Sequence, residues 1–76
     1  MKVYVARDED YSLWMYTTKP QKTLTGWQGQ NFTALNLKWV SEKASEGDFT
    51  ALAIRALKPW NEPLEIKLTI ETELNF

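Results

Sequence analysis

The stretch that decides the fold is KVYVARDEDYSLWMYT, residues 2–17. Two sets of apolar residues alternate over residues 2–7 and 12–17, with Val3, Val5, Leu13 and Met15 in one set and Tyr4, Ala6, Trp14 and Tyr16 in the other. Valine, tyrosine and tryptophan favour strands. The acidic segment 8–11 between them is typical of a turn. The sequence therefore opens with a predicted β-hairpin.

A three-residue loop at 9–11 sets the register of this hairpin. It opposes Arg7 with Leu13, Ala6 with Trp14 and Val5 with Met15. Directly opposed residues share a face of a sheet. One face then carries Val3, Val5, Leu13 and Met15, and the other carries Tyr4, Ala6, Trp14 and Tyr16. Both faces are apolar enough to be covered, so the sequence leaves open which of them faces the core.

The loop itself carries an expected strain. Three-residue hairpin loops commonly end on a residue with positive φ, normally glycine. Here that position is Tyr11, where the left-handed conformation costs about 1–2 kcal/mol. We expect Arg7 to form a salt bridge with Asp8 or Asp10 that shapes the turn.

The middle of the chain predicts shorter elements. Pro20 ends the hairpin because proline lacks a ladder donor. Residues 24–28 predict a short third strand, with Gly26 and Gly29 as bends. Residues 35–40 alternate and predict a further strand, and the polar segment 41–47 predicts a loop.

Residues 48–57 predict a short helix. Asp48 is a favourable N-cap, and Pro59 ends the helix. The expected apolar stripe is Phe49, Leu52, Ala53, Ala56 and Leu57. A strand is the alternative, because apolar residues also alternate from Phe49 to Ala53.

A turn at 60–63 precedes the clearest alternation of the chain, over residues 64–74. The apolar positions are Leu64, Ile66, Leu68, Ile70 and Leu74. The intervening residues are polar, which predicts a long strand with one wet face. Residues 1–76 are thus expected to form a single α+β domain, an antiparallel sheet of about four strands with one short helix packed on it.

Composition and charge exclude several classes of protein. Hydrophobic residues make up 43% of the chain and charged residues 25%, which is ordinary for a globular domain. Nine basic and ten acidic residues give a net charge of −1, whereas duplex-DNA binders usually show a basic stripe. No stretch approaches the length of a membrane span, and charge appears too early for a secretory signal. We expect a cytoplasmic protein without membrane partners.

Catalysis is disfavoured by the residue types present. Histidine and cysteine are absent, which removes imidazole acid–base chemistry, thiol nucleophiles and the usual zinc sites. Asp8 and Asp10 suit turn chemistry. Together with Glu9 they lack the ligand count of a calcium loop. We expect neither an enzyme nor a bound cofactor or metal.

Binding through aromatic residues is the favoured function. Tyr4, Trp14 and Tyr16 share one hairpin face, with Lys19 in the loop that follows. We expect the helix to cover this face, and if the face is open it is the candidate binding surface. Exposed aromatic clusters anchor protein interfaces, so we expect a small non-enzymatic protein-interaction module. One alternative is single-stranded nucleic-acid binding, because aromatic residues beside lysines stack bases. Another is a self-associating structural subunit that pairs through a strand at the sheet edge.

Two segments carry a resemblance. Residues 5–20, VARDEDYSLWMYTTKP, resemble the opening V-A-R-D-x-D-G-S-L-x-L-Y-x-x-K-P of short uncharacterised proteins of bacteriophages and bacterial mobile elements. Residues 60–66, WNEPLEI, resemble the acidic-proline turn before the last strand of that group, and the middle of the chain has no counterpart. Tyr11 stands where the group has glycine. The resemblance implies the hairpin, the last strand and a phage or prophage setting, and it implies no activity.

Overall fold

Six strands and two helices are formed by residues 1–69, the part of the chain that the computed structural model describes. In chain order they are β1 (Lys2–Arg7), β2 (Leu13–Tyr16), β3 (Gln21–Thr23), β4 (Gly26–Gln28), β5 (Phe32–Ala34), α1 (Leu37–Lys43), α2 (Gly47–Ala56) and β6 (Leu64–Lys67). The predicted α+β class is confirmed, with one helix more than expected.

The main sheet has four antiparallel strands in the order β5-β2-β1-β6. Its centre is the predicted hairpin, and the predicted register is confirmed: Arg7 opposes Leu13, and Val5 opposes Met15. The segment 24–28 does not join this sheet as the sequence predicted. It contributes β4 to a second sheet of two strands, because a two-residue turn lets β4 pair locally with β3.

The hairpin loop has the predicted strain. The backbone amide of Tyr11 donates to the carbonyl oxygen of Asp8 over 2.9 Å, and the amide of Asp8 donates to that of Ser12 over 2.8 Å. These two bonds close a three-residue loop whose last residue must turn left-handed. Tyr11 accordingly has a φ of 70°.

The core lies between the main sheet and the two helices. Val3 and Val5 of β1 and Met15 of β2 pack there against Val40 of α1 and Ile54 of α2. The question that the sequence left open is thereby settled, because the valine face of the hairpin faces the core. The expectation that a helix buries Tyr4, Trp14 and Tyr16 is wrong, since both helices lie on the other side of the sheet.

The segment 35–40 is helical from Leu37 on, not the strand that its alternation predicted. The side chain of Asn36 caps the helix, its Oδ1 accepting from the amides of Lys38 (3.0 Å) and Trp39 (3.2 Å). Val40 and Ala44, four residues apart, are buried, and such spacing lies on one helical face. The predicted loop at 41–47 is therefore helical in its first half.

The helix predicted at 48–57 is confirmed as α2, but its cap and its buried face differ from prediction. The N-cap is Glu46. Asp48 lies in the first turn, where a negative charge still stabilises the helix dipole. Ala51, Ile54 and Leu57 are buried, whereas Phe49 and Leu52 are 75% and 62% exposed. The branched side chain of Ile54 fills the space against the sheet, and this rotates most of the predicted stripe outward.

Arg7 does not form the expected salt bridge with Asp8 or Asp10. Its side chain is on the core face of the hairpin and reaches the end of α2. Nε donates to the carbonyl oxygen of Leu57 over 2.6 Å, and Nη2 donates to that of Ile54 over 3.3 Å. Backbone carbonyls at the end of a helix lack partners within it, so they attract this guanidinium.

The last strand, β6, lies at the edge of the main sheet beside β1. The predicted turn at 60–63 precedes it, and Ile66 and Leu68 are buried as the alternation predicted. The strand predicted over 64–74 ends at Lys67, and Leu68 forms an isolated antiparallel bridge with Ala44. The predicted continuation over 70–74 lies outside the described residues. Within residues 1–69, neither helix has the length and apolar character needed to cross a membrane.

Candidate functional site

The outer face of the main sheet, which is turned away from the helices, carries aromatic side chains from three strands. They are Tyr4 of β1, Trp14 and Tyr16 of β2, and Phe32 of β5. Tyr16 lies directly between Tyr4 and Phe32 in the strand register. The sequence-predicted grouping of Tyr4, Trp14 and Tyr16 on one face follows from the confirmed hairpin pairing.

A half-open cavity of about 390 Å³ lies between this outer face and the second sheet. We refer to it as the aromatic recess. It is lined by Asp8, Trp14, Tyr16, Trp27, Gln28, Gly29 and Phe32. Its volume falls in the range of about 300–1,000 Å³ that is usual for ligand sites.

The aromatic rings of the recess hold one another in place. Trp14 and Phe32 meet edge to face, with ring centroids 5.6 Å apart and planes at 78°. Tyr16 and Phe32 lie 5.9 Å apart with planes tilted by 42°. Tyr16 is buried, whereas Phe32 is 53% exposed. Tyr16 therefore forms part of the floor, and Phe32 stands at the opening.

A short hydrogen-bonded chain orients Trp14. Its indole Nε1 donates to Oγ of Ser12 over 2.9 Å, and the Ser12 hydroxyl donates to the carboxylate of Asp10. The same hydroxyl, together with the backbone amide of Ser12, lowers the pKa of the Asp10 carboxyl. The indole plane is thus fixed by the hairpin loop that precedes β2.

The opposite wall is Trp27, and it is fixed from outside the recess. Its Nε1 donates to the carbonyl oxygen of Pro59 over 3.3 Å. The ammonium of Lys22 lies 5.3 Å from the centroid of the indole and 3.8 Å from the carboxylate of Glu9. The second sheet is thereby joined to the loop before β6 and to the hairpin loop.

Two glycines let the second sheet approach the main sheet. A Cβ at Gly29 would lie 2.9 Å from Cδ2 of Tyr16, and a Cβ at Gly26 would overlap the carboxylate of Asp8. Gly26 also has a φ of 140°, which favours glycine. Larger residues at these positions would push β4 away and open the recess.

Asp8 supplies the charge of the recess. Its Oδ1 accepts a hydrogen bond from the amide of Glu9 over 3.0 Å, which helps to hold the carboxylate at the hairpin loop. Burial, and secondarily the negative charge of Asp8, raise the pKa of Tyr16. The Asp8 carboxylate therefore acts on the interior of the recess.

The predicted site residues divide into two groups. Trp14 and Tyr16 line the recess. Tyr4 is on the same face outside the lining, and its hydroxyl donates to Glu65 over 3.4 Å. Lys19 pairs with Glu62 at 3.7 Å and lines a separate polar depression beside β3. The structure therefore brings two of the four residues together.

Sequence reasoning missed Asp8, Trp27 and Phe32 as members of this site. Phe32 begins the three-residue strand β5, and three residues are too few for an alternating pattern to be recognised. Trp27 stands between Gly26 and Gly29, and that spacing was a usable signal of close backbone approach. The spacing of the two glycines does not say which surface the backbone approaches.

Chemically, the recess offers aromatic faces, one amide and one carboxylate. Among residues 1–69, no three acidic side chains lie close enough together to hold a metal ion. Comparison of the chain with protein-family models, with curated proteins and with solved structures finds no match in any of the three. Function is accordingly inferred from the geometry of the recess.

Proposed function

We propose that this chain is a cytoplasmic, non-enzymatic binding module that recognises another protein through the aromatic recess. The observation that carries the proposal is the recess itself, where Trp14, Trp27 and Phe32 surround an open cavity of ligand size. Tryptophan and tyrosine are the residues on which binding energy at interfaces concentrates. The absence of histidine and cysteine from the sequence supports binding over catalysis.

Rigidity supports the same proposal. Both indoles that flank the cavity are held by hydrogen bonds, Trp14 to Ser12 and Trp27 to Pro59. A side chain that is already ordered loses little conformational entropy when a partner binds, and affinity rises accordingly.

Single-stranded nucleic acid remains the alternative occupant, because the rings could stack bases. Two charge relationships weigh against it. The nearby lysines already have carboxylate partners, Lys19 with Glu62 and Lys22 with Glu9. A phosphate drawn toward the recess would also meet the negative charge of Asp8. We therefore favour a protein partner.

Selection from a random peptide library displayed on phage tests the proposal. Selected peptides are titrated against the wild-type protein, Phe32→Ala and the matched control Phe49→Ala. Phe49 is an exposed phenylalanine on α2, across the sheet from the recess. We expect Phe32→Ala to weaken binding by at least about tenfold and Phe49→Ala to leave it unchanged.

Three outcomes would overturn the proposal. One is that no peptide is enriched, and another is that enriched peptides bind Phe32→Ala as well as wild type. The third is that short single-stranded oligonucleotides bind more tightly than any peptide and lose that affinity in Phe32→Ala. Because Phe32 is half exposed on an edge strand, its variant should fold, and circular dichroism checks that it does.

A further inference from the structure

The recess combines aromatic faces with a single formal charge. Of the lining residues described above, Asp8 is the one of a charged residue type. Lys22, whose ammonium lies 5.3 Å from the Trp27 centroid, does not line the recess and pairs with Glu9. The Asp8 carboxylate therefore makes the interior of the recess electronegative, and an aromatic ring adds attraction for a cation that lies over its face.

That electrostatic character selects for a cation. A neutral apolar side chain entering the cavity would strip water from the Asp8 carboxylate without replacing its hydrogen bonds, which is costly. An anion would be repelled by the same carboxylate. A cation gains both an ion pair with Asp8 and attraction to the rings of Trp14, Trp27 and Phe32.

The shape and hydration of the cation distinguish a lysine ammonium from an arginine guanidinium. An ammonium is a compact and strongly hydrated charge, whereas a guanidinium is planar, more weakly hydrated and stacks on aromatic faces. Oδ1 of Asp8 already accepts from the amide of Glu9, and a carboxylate has acceptor sites beyond that one bond. A recess lined by two indoles and a carboxylate therefore suits a planar donor best.

We propose that the aromatic recess receives an arginine side chain of the partner protein, with the guanidinium between the rings and hydrogen-bonded to Asp8. This inference rests on the proposed function and names the group that the recess recognises. Trp27 already attracts a cation, since the ammonium of Lys22 lies 5.3 Å from its centroid. The arginine would use the ring surfaces that line the recess.

The test uses three small probes that share one backbone and differ in the side-chain head group, the lysine probe also having one more methylene in its stem. They are N-acetyl-arginine methylamide, its citrulline analogue, in which the guanidinium is replaced by a neutral urea, and its lysine analogue. Each is titrated into the full chain while the indole N–H resonances of Trp14 and Trp27 are followed by NMR. We expect the arginine probe to shift both resonances with a Kd about tenfold below that of citrulline, and lysine to fall between them.

Matched variants connect the binding to the recess. Asp8→Asn keeps the shape and the Oδ1 acceptor but removes the charge, and Asp48→Asn is the control on the first turn of α2. Gln28→Lys places a cation at the recess, and Gln30→Lys places one on the neighbouring exposed position outside it. Asp8→Asn and Gln28→Lys should each weaken the arginine probe by at least about tenfold, and both controls should bind as wild type.

The inference fails if citrulline binds as tightly as arginine, if lysine binds more tightly, or if Asp8→Asn leaves the arginine affinity unchanged. Its failure can be told apart from failure of the proposed function. If the phage-selected peptides bind in a Phe32-dependent way but are not enriched in arginine, the binding module stands and the arginine assignment falls. If no selected peptide depends on Phe32, the proposed function itself falls.

Discussion

Nε of Arg7 donates to the carbonyl oxygen of Leu57 over 2.6 Å, and this hydrogen bond joins the central strand of the sheet to the end of α2. The same guanidinium also reaches the carbonyl oxygens of Ile54 and Tyr11. One side chain thus links the hairpin loop, the core face of the sheet and the helix terminus. Arg7 therefore holds the hairpin to the end of α2, which an ion pair with Asp8 or Asp10 inside the turn would not do.

Replacement of Arg7 by methionine should lower the free energy of unfolding by about 2–4 kcal/mol. Hydrogen bonds from charged donors contribute about 1.5–3 kcal/mol each when partly buried, and they are not additive. Arg7→Lys should recover only part of the loss, since one ammonium cannot span three carbonyls. Urea unfolding monitored by tryptophan fluorescence measures both variants. A loss below about 0.5 kcal/mol for Arg7→Met, the size expected of an ordinary surface change, would contradict the role.

Tyr11→Gly should stabilise the protein by about 0.5–1 kcal/mol, because glycine adopts the positive φ of this position without strain. For a domain of this size, that gain raises Tm by about 2–8 °C. Tyr11→Ala is the control that removes the ring but keeps the Cβ. We expect the glycine variant to be more stable than the alanine variant by about 1 kcal/mol, and thermal denaturation followed by circular dichroism compares them. Equal stability of the two would show that φ at this position carries no strain.

Two positions on α2 test which face of the helix is buried. Ile54→Ala should cost about 2–5 kcal/mol, because it empties a fully buried site in the core. Leu52→Ala, on the exposed side, should change stability by less than about 0.5 kcal/mol. Chemical denaturation provides both values under identical conditions. A larger cost at Leu52 than at Ile54 would restore the stripe that the sequence predicted.

The elements that the sequence predicted correctly are those that depend on residues close together in the chain. Alternation on both sides of the 8–11 turn was enough for the hairpin, its register and the positive φ of Tyr11. The helix at 48–57 also followed from its own residues. Its orientation did not, because the preference for Ile54 over Leu52 in the core depends on the space left by β1 and β2.

The main error of the sequence prediction is the strand at 35–40, and it arises from two competing local signals. Leu35, Leu37 and Trp39 alternate as a strand would, while Asn36 is a good helix cap. The segment is helical because a helix places Val40 and Ala44 on one face, where both pack in the core. Alternation over six residues is too short to exclude a helix.

The candidate site was only half predictable for a different reason. Trp14 and Tyr16 are on the hairpin, so the register placed them on one face. Phe32 joins them through the pairing of β5 with β2, and Asp8 and Trp27 complete the lining only after the second sheet docks against the outer face. That docking depends on contacts between residues far apart in sequence, such as Trp27 with Pro59, and no periodicity reports it.

The electrostatic coupling between Asp8 and Tyr16 gives the last prediction. Burial first, and the charge of Asp8 second, raise the pKa of Tyr16. A tyrosine whose pKa is higher in the folded than in the unfolded state stabilises the fold below the unfolded value, near 10, and this contribution is lost as pH rises through the folded pKa. We therefore expect the free energy of unfolding to fall with rising pH above about 10, and to fall less in Tyr16→Phe.

Asp8→Asn isolates the contribution of the charge. In a background in which Tyr4 and Tyr11 are phenylalanine, the ultraviolet absorbance of tyrosinate reports Tyr16 alone. Asp8→Asn should lower the pKa of Tyr16 without returning it to the ordinary value, because burial remains and is the larger cause. The control Asp48→Asn should leave that pKa unchanged. An unchanged Tyr16 titration in Asp8→Asn would mean that the carboxylate does not act on the interior of the recess, and the electrostatic basis for a bound guanidinium would be lost with it.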